Sequence, residues 1–247
     1  MRVENEVLAV LSRANTEGNA LMLVGQLDRR MYERTNKVLE AAGGKWNRKA
    51  KAHVFEIDAA EAIEQIILTG EITVPQDFGY FPTPAPIVTR LLELADIDPN
   101  MLVLEPSAGK GNIARAVADI AAVDCVELLQ KNVDALHAGE FARDVIMGDF
   151  LTLVPTPTYD RVVMNPPFAR QDDIRHVQHA LRFLKPEGRL VSVMASSILF
   201  RDNRLTTDFR AMLDERGGDI EECPEGAFKE SGTMVRTVIV TIPGEEA

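Results

Sequence analysis

Leu102-Val103-Leu104-Glu105-Pro106-Ser107-Ala108-Gly109-Lys110-Gly111-Asn112 reads as an apolar strand, a tight turn and the start of a helix. Small residues and glycines in such a turn let backbone approach a bound ligand closely, as in dinucleotide folds. The run is not G-x-G-x-x-G, and no Lys-Ser/Thr pair follows Gly111, so it is not a P-loop either. Alone, it also admits the reading of a plain strand-to-helix turn. The surrounding chain narrows the choice. Helical spacing precedes the run over residues 86–95, and short apolar runs alternate with helical patterns after it. Strands are expected over 101–104, 122–126, 145–147, 161–164 and 189–194, and helices from Asn112, up to about Ala138, and over 172–184 and 208–215. The helix over 172–184 would carry Ile174, Val177, Leu181 and Leu184 on one face. A last pair of strands, 220–223 and 235–242, closes the pattern. Such alternation predicts an α/β fold with a Rossmann-like doubly wound sheet.

Upstream, residues 1–74 read as a small α+β module and 75–247 as the main domain. Val7, Leu8, Val10 and Leu11 predict a helix, 20–24 a strand, 31–42 a helix that stops at Gly43-Gly44, 52–57 a strand and 59–68 a helix. The proline- and aromatic-rich stretch 74–84 is the expected junction.

The net charge of −11 argues against a uniformly nucleic-acid-binding surface. The charge is uneven, however. Arg29, Arg30, Arg34, Lys37, Lys45, Arg48, Lys49 and Lys51 face only Glu33 and Glu40 in that stretch. A local basic face binds phosphates while the rest of the chain repels them. Within it, Lys45, Trp46, Arg48, Lys49 and Lys51 form a turn-rich basic loop holding the one tryptophan. That loop is either a nucleic-acid contact with Trp46 stacking on a base, or a solvated hairpin whose Trp packs inward. Cys125 and Cys223 lie far apart and match no zinc or disulfide spacing, so no metal is expected. His176 and His179 sit at i, i+3 without a third ligand and are expected on the surface. No apolar run is long enough to span a bilayer, and no signal core opens the chain, so a soluble cytoplasmic protein is the expectation.

Asn165-Pro166-Pro167-Phe168 follows the apolar run Asp160-Arg161-Val162-Val163-Met164. Two prolines in succession continue neither a strand nor a helix interior, because they donate no backbone hydrogen bond. The result is a stiff turn that brings together an amide, a backbone carbonyl and an aromatic ring. A strand-terminating loop of no catalytic meaning has the same local grammar. The motif resembles that of the class I S-adenosylmethionine-dependent methyltransferases acting on planar amines, the adenine-N6 enzymes above all. Glu105-Pro106-Ser107-Ala108-Gly109-x-Gly111 resembles the cofactor motif of the same family. Phe81-Pro82-Thr83-Pro84 resembles the Phe-x-Thr-Pro element that precedes that motif in many DNA adenine methyltransferases.

The resemblance covers roughly residues 79–242 and implies the seven-stranded methyltransferase sheet. It implies S-adenosylmethionine as methyl donor, held by Phe81, Thr83, Glu105, Ser107, Ala108, Gly109, Gly111, Asn112 and Asn165. Glu127 would hold the ribose, and Asp149 and Phe150 the adenine. Asn165, Pro166, Pro167 and Phe168 would be catalytic. The Asn165 oxygen and the Pro166 carbonyl would grip the target amine while Phe168 stacks on its base. DNA adenine-N6 methylation is the first expectation, with RNA adenine-N6 methylation sharing all the chemistry. A protein glutamine methyltransferase is a third reading, although that family usually has Tyr where this chain has Phe168. Cytosine-C5 chemistry is set aside, because it needs a cysteine nucleophile in Pro-Cys context and this chain has Cys223-Pro224. Ser231-Gly232-Thr233 is expected near the target pocket, flanked by Lys229 and Arg236.

Overall fold

A computed structural model describes residues 2–55, 58–72 and 81–245. The chain divides into two compact units, Met1–Asp77 with Ser196–Asp208, and Phe78–Ala195 with Phe209–Ala247.

The first unit is a four-stranded antiparallel sheet with three helices. In chain order it holds α1 (Asn5–Ser12), β1 (Asn15–Glu17), β2 (Ala20–Met22), α2 (Arg29–Ala41), β3 (Lys45–Asn47), β4 (Ala52–Val54) and α3 (Ala59–Thr69), and its strands lie in the order β1-β2-β4-β3. Asp28 and Asp58 start α2 and α3 by accepting first-turn N–H groups, a capping role aspartate fills well. Val7, Leu8, Leu11, Leu21, Leu39, Phe55, Ile63 and Ile67 form the core. The strand expected over 20–24 ends at Met22, and the one over 52–57 ends at Val54, with Glu56 and Ile57 outside the described residues. Strand β1 was not expected from its polar Asn-Thr-Glu; it forms because Gly18, at φ +55°, turns the chain back into a hairpin with β2.

Ser196–Asp208, expected with the main domain, packs within this first unit instead. Phe200 lies against the core cluster, and buried Arg201 pairs with Glu64 at 2.6 Å.

The second unit is built on a seven-stranded sheet. Its elements are α4 (Ala85–Ala95), β5 (Leu102–Pro106), α5 (Asn112–Ala118), β6 (Ala122–Glu127), α6 (Gln130–Gly139), β7 (Asp144–Met147), β8 (Tyr159–Met164), α7 (Asp172–Ala180), β9 (Leu184–Ala195), the later part of α8 (Arg204–Glu215), β10 (Asp219–Glu222) and β11 (Thr237–Pro243). The strand order is β10-β11-β9-β8-β5-β6-β7, parallel except that β11 runs against both its neighbours. Central strand β5 is sealed on both faces, which explains its unbroken apolar reading. The winding sense reverses at β5, so the carboxyl ends of β5 and β8 open the crevice where such sheets bind ligands.

The helix expected over 172–184 stops at Ala180. Leu181–Phe183 tightens into a 3-10 turn, and Leu184 opens β9 opposite Tyr159. The surface expectation for His176 and His179 is also corrected. His176 is 7% exposed, with Nδ1 on the carbonyl of Asp172, and burial lowers its pKa. Both imidazoles pack on Phe150, at ring-centre distances of 5.9 and 4.9 Å. Cys125 is buried in β6, and Cys223 is half-buried. Among the described residues no helix is long and apolar enough to cross a membrane.

Candidate active site

The β5–α5 turn takes its shape from backbone angles. Ser107, Gly109 and Gly111 sit at φ +59°, +57° and +81°, the left-handed region that glycine enters without strain. Alternating signs along the turn aim its N–H groups inward. Ala108 donates to the carbonyl of Val126 at 3.0 Å, and Gly109 donates to Glu127 Oε2 at 2.7 Å. Gly111 serves packing. A Cβ there would lie 2.5 Å from the Phe141 ring and 2.7 Å from Leu136.

Two carboxylates frame this turn. Glu105, 3% exposed at the end of β5, accepts the N–H of Ala114 at 2.6 Å. Burial holds its carboxyl well above the usual carboxylate range; that bond pulls it down, and the charge of Glu127 pushes it further up. Glu127 ends β6, as expected. Besides Gly109 it takes the N–H of Leu129 at 2.8 Å and the amide of Asn132 at 3.3 Å, both on Oε1.

A cleft of about 220 Å³ is lined by Phe81, Thr83, Glu105, Ser107, Ala108, Asn112 and Asn165. All seven were singled out from sequence. The strap Phe81-Pro82-Thr83-Pro84 runs along its rim. Two prolines remove two of its N–H donors, and three of its carbonyls accept from side chains elsewhere. Asn165 Nδ2 donates to Phe81 O at 3.3 Å and to Thr83 Oγ1 at 3.1 Å. Ser231 Oγ donates to Pro82 O at 2.6 Å, and Asn112 Nδ2 to Thr83 O at 3.0 Å. Asn165 Oδ1 is buried and has no hydrogen-bond partner.

Other expected site residues lie outside the lining. Phe168 is 3% exposed, so the open ring face expected for base stacking is absent. The chain turns sharply just after it, with Arg170 and Gln171 in the left-handed region. Phe150 is likewise buried, against His176, His179 and Phe183, and belongs to the core rather than to an open adenine site. Asp149 beside it is exposed, with Oδ1 on the N–H of Leu151. Two contributors escaped the sequence-based site assignment. Asn132 lies inside a helix pattern, where an amide carries no signal of its target. Ser231 was placed near the pocket, but its reach across 149 residues to Pro82 has no sequence signature.

In the first unit, β3 and β4 pair through Trp46↔His53, with the turn between them held by Asn47 Oδ1. Lys45, Arg48, Lys49 and Lys51 are all exposed, and no carboxylate among the described residues pairs with them. Trp46 is 49% exposed and rests on His53 at 5.1 Å, so it packs inward only in part.

Residues 90–214 match the family model of the methyltransferase small domain. A Methanosarcina mazei protein named "Probable ribosomal RNA small subunit methyltransferase A" is 31% identical over 66% of this chain and 63% of its own length. The chain thus spans just under two thirds of that relative. Among solved structures, the 23S rRNA methyltransferase ErmE superposes with a TM-score of 0.52 at 22% identity, covering 68% of this chain and 71% of the other. A dimethyladenosine transferase from Plasmodium falciparum does so at 0.50 and 19%, covering 66% and 63%. At those identities the two structures bear on the fold.

Proposed function

The chain belongs to the methyltransferase small domain family, and from that premise we propose that it moves the methyl group of S-adenosylmethionine to the N6 amine of adenine in a polynucleotide, RNA before DNA. One observation carries the reading. The Asn165 carboxamide is fixed through its nitrogen, which leaves a buried oxygen as an acceptor without a donor, at the crevice between β5 and β8. An exocyclic amine is a donor that fits it.

The polar lining of the cleft, with Thr83, Glu105, Ser107 and Asn112, fits the polar end of the methyl donor. Glu127 accepts three bonds from its own chain, and a carboxylate offers about four lone-pair sites, which leaves room for a ribose hydroxyl. The sulfonium supplies an activated methyl group. Asn165 would hold the amine nitrogen in line with that methyl group, and the methylated amine would release its proton to water. An aromatic amine is a poor nucleophile, because its lone pair is delocalised. Acceptors at Asn165 Oδ1 and the Pro166 carbonyl favour a pyramidal nitrogen and stabilise the positive charge that develops on it. Asn165 orients and stabilises; it is no base.

RNA is placed first because the sequence relatives carry ribosomal RNA names. The DNA reading keeps one support, the likeness of Phe81-Pro82-Thr83-Pro84 to the element of DNA adenine enzymes. The glutamine reading is weaker, since Phe168 stands where that family usually has Tyr. The exposed cations of the β3–β4 turn, with Trp46, are proposed as a polynucleotide contact.

The test is transfer of labelled methyl to RNA, single-stranded DNA and duplex DNA, with the modified nucleoside identified after digestion. N6-methylated adenosine from RNA is the expected product. Label in DNA alone would move the second reading to first place. Bound S-adenosylmethionine with no label in any of the three would end the adenine reading.

A further inference from the structure

We propose that Thr83 and Ser231 are positioning residues that set which way the Asn165 carboxamide faces, an inference that rests on the role of Asn165 argued above. The two ends of a carboxamide have nearly the same shape, so neighbours decide the flip. The Phe81 carbonyl can only accept, so the group facing it must be the NH2 of Asn165. Thr83 Oγ1 takes the second N–H at 3.1 Å. Both donors are thereby used, and Oδ1 is the end left as an unpartnered buried acceptor.

This holds only while the strap stays in place. Pro82 and Pro84 have no N–H to anchor it, and side chains of other elements hold its carbonyls. Ser231, 149 positions away, donates to the Pro82 carbonyl at 2.6 Å, between the two strap atoms that Asn165 uses. Asn112 holds the next carbonyl, Thr83 O, at 3.0 Å. Three successive carbonyls of the strap are thus gripped by three separate elements. The turn before β11 thereby reaches Asn165 without touching it. If the strap lets go, the carboxamide is free to rotate, and its NH2 would meet the substrate amine donor to donor.

The test reads the carboxamide directly. In the full chain with nitrogen-15 asparagine, the side-chain NH2 signals of Asn165 are those that vanish in Asn165→Ala. They are expected to exchange with solvent about ten-fold or more slower than those of exposed Asn100, the factor that one hydrogen bond of ordinary net strength supplies. Thr83→Val keeps the shape and removes the hydroxyl; it should erase about ten-fold of that protection, and Thr83→Ser should restore it. Ser231→Ala should loosen the same signals, with Ser231→Thr restoring them. Single-turnover methyl transfer should fall and recover in the same order. A wild-type Asn165 amide as fast as that of Asn100, or one indifferent to both Thr83→Val and Ser231→Ala, overturns the proposal. Failure of the underlying reading looks different: Asn165→Ala would then methylate as well as wild type, whatever the exchange data show.

Discussion

Glu127 Oε2 accepts the backbone N–H of Gly109 at 2.7 Å, tying the end of β6 to the turn after β5. The carboxylate expected to hold a ribose therefore also holds the loop. Glu127→Gln places an NH2 against one of three donors, Gly109 N, Leu129 N or Asn132 Nδ2. Leaving one buried donor unpaired costs about 1–3 kcal/mol. Urea unfolding should register that loss together with weaker S-adenosylmethionine binding. Weaker binding at unchanged stability would mean that the loop does not depend on the carboxylate.

Asn165→Ala should lower methyl transfer about 10²–10³-fold, the usual effect of removing one preorganised hydrogen-bonding group from a reacting centre. Calorimetric affinity for S-adenosylmethionine should change little. A collapse of affinity alongside activity would make Asn165 a scaffold for the strap and nothing more.

Glu105 gives a pH dependence with a definite sign. Its folded pKa is raised well above the ordinary 4.5 by burial. The unfolded chain ionises first, so folded-state stability is fully present below pH 4.5 and is lost as pH rises through the folded pKa. Glu105→Gln keeps an acceptor for Ala114 N–H and removes the ionisation. Denaturation measured across pH should give a flatter profile for Glu105→Gln, with its relative gain growing toward neutral pH. Parallel profiles would contradict the assignment.

Gly111→Ala drives a methyl group to 2.5 Å from the Phe141 ring at a left-handed backbone angle. Overpacking of this kind costs about 1–3 kcal/mol. Part of the loss should return in Gly111→Ala with Phe141→Leu, measured as a coupling in a double-mutant cycle. Strict additivity would show that backbone strain alone demands glycine.

Replacing Lys45, Arg48, Lys49 and Lys51 by Gln should weaken polynucleotide binding and flatten its salt dependence. The log–log slope should shrink by roughly 0.7 for each single-strand phosphate that the protein no longer neutralises. Trp46→Ala should cost a further 1–3 kcal/mol or so if a base stacks there. An unchanged slope would move the binding surface elsewhere.

Most of the sheet was legible because β5, β6, β8 and β9 are apolar runs ended by turn residues. Periodicity failed where two structures share it. Leu181 and Leu184 continue the apolar face of α7, yet one sits in a 3-10 turn and the other in β9. Burial of His176, Phe150 and Phe168 was also hidden, since an aromatic beside a motif reads alike whether it faces a ligand or the core. The seven cleft residues were found because their motifs are contiguous. Ser231 and Asn132 act across folded distance, and a single sequence does not encode distance in a local pattern.

The return of Ser196–Asp208 to the first unit has a consequence for synthesis. Domains generally fold in the order in which they leave the ribosome. Here the module made first lacks Phe200 and the partner of Glu64 until residue 201 has emerged. While β5 through β9 are translated, the nascent module lacks the aromatic that packs against its core and the guanidinium that pairs with half-buried Glu64. The part of the chain born first is among the last to be finished.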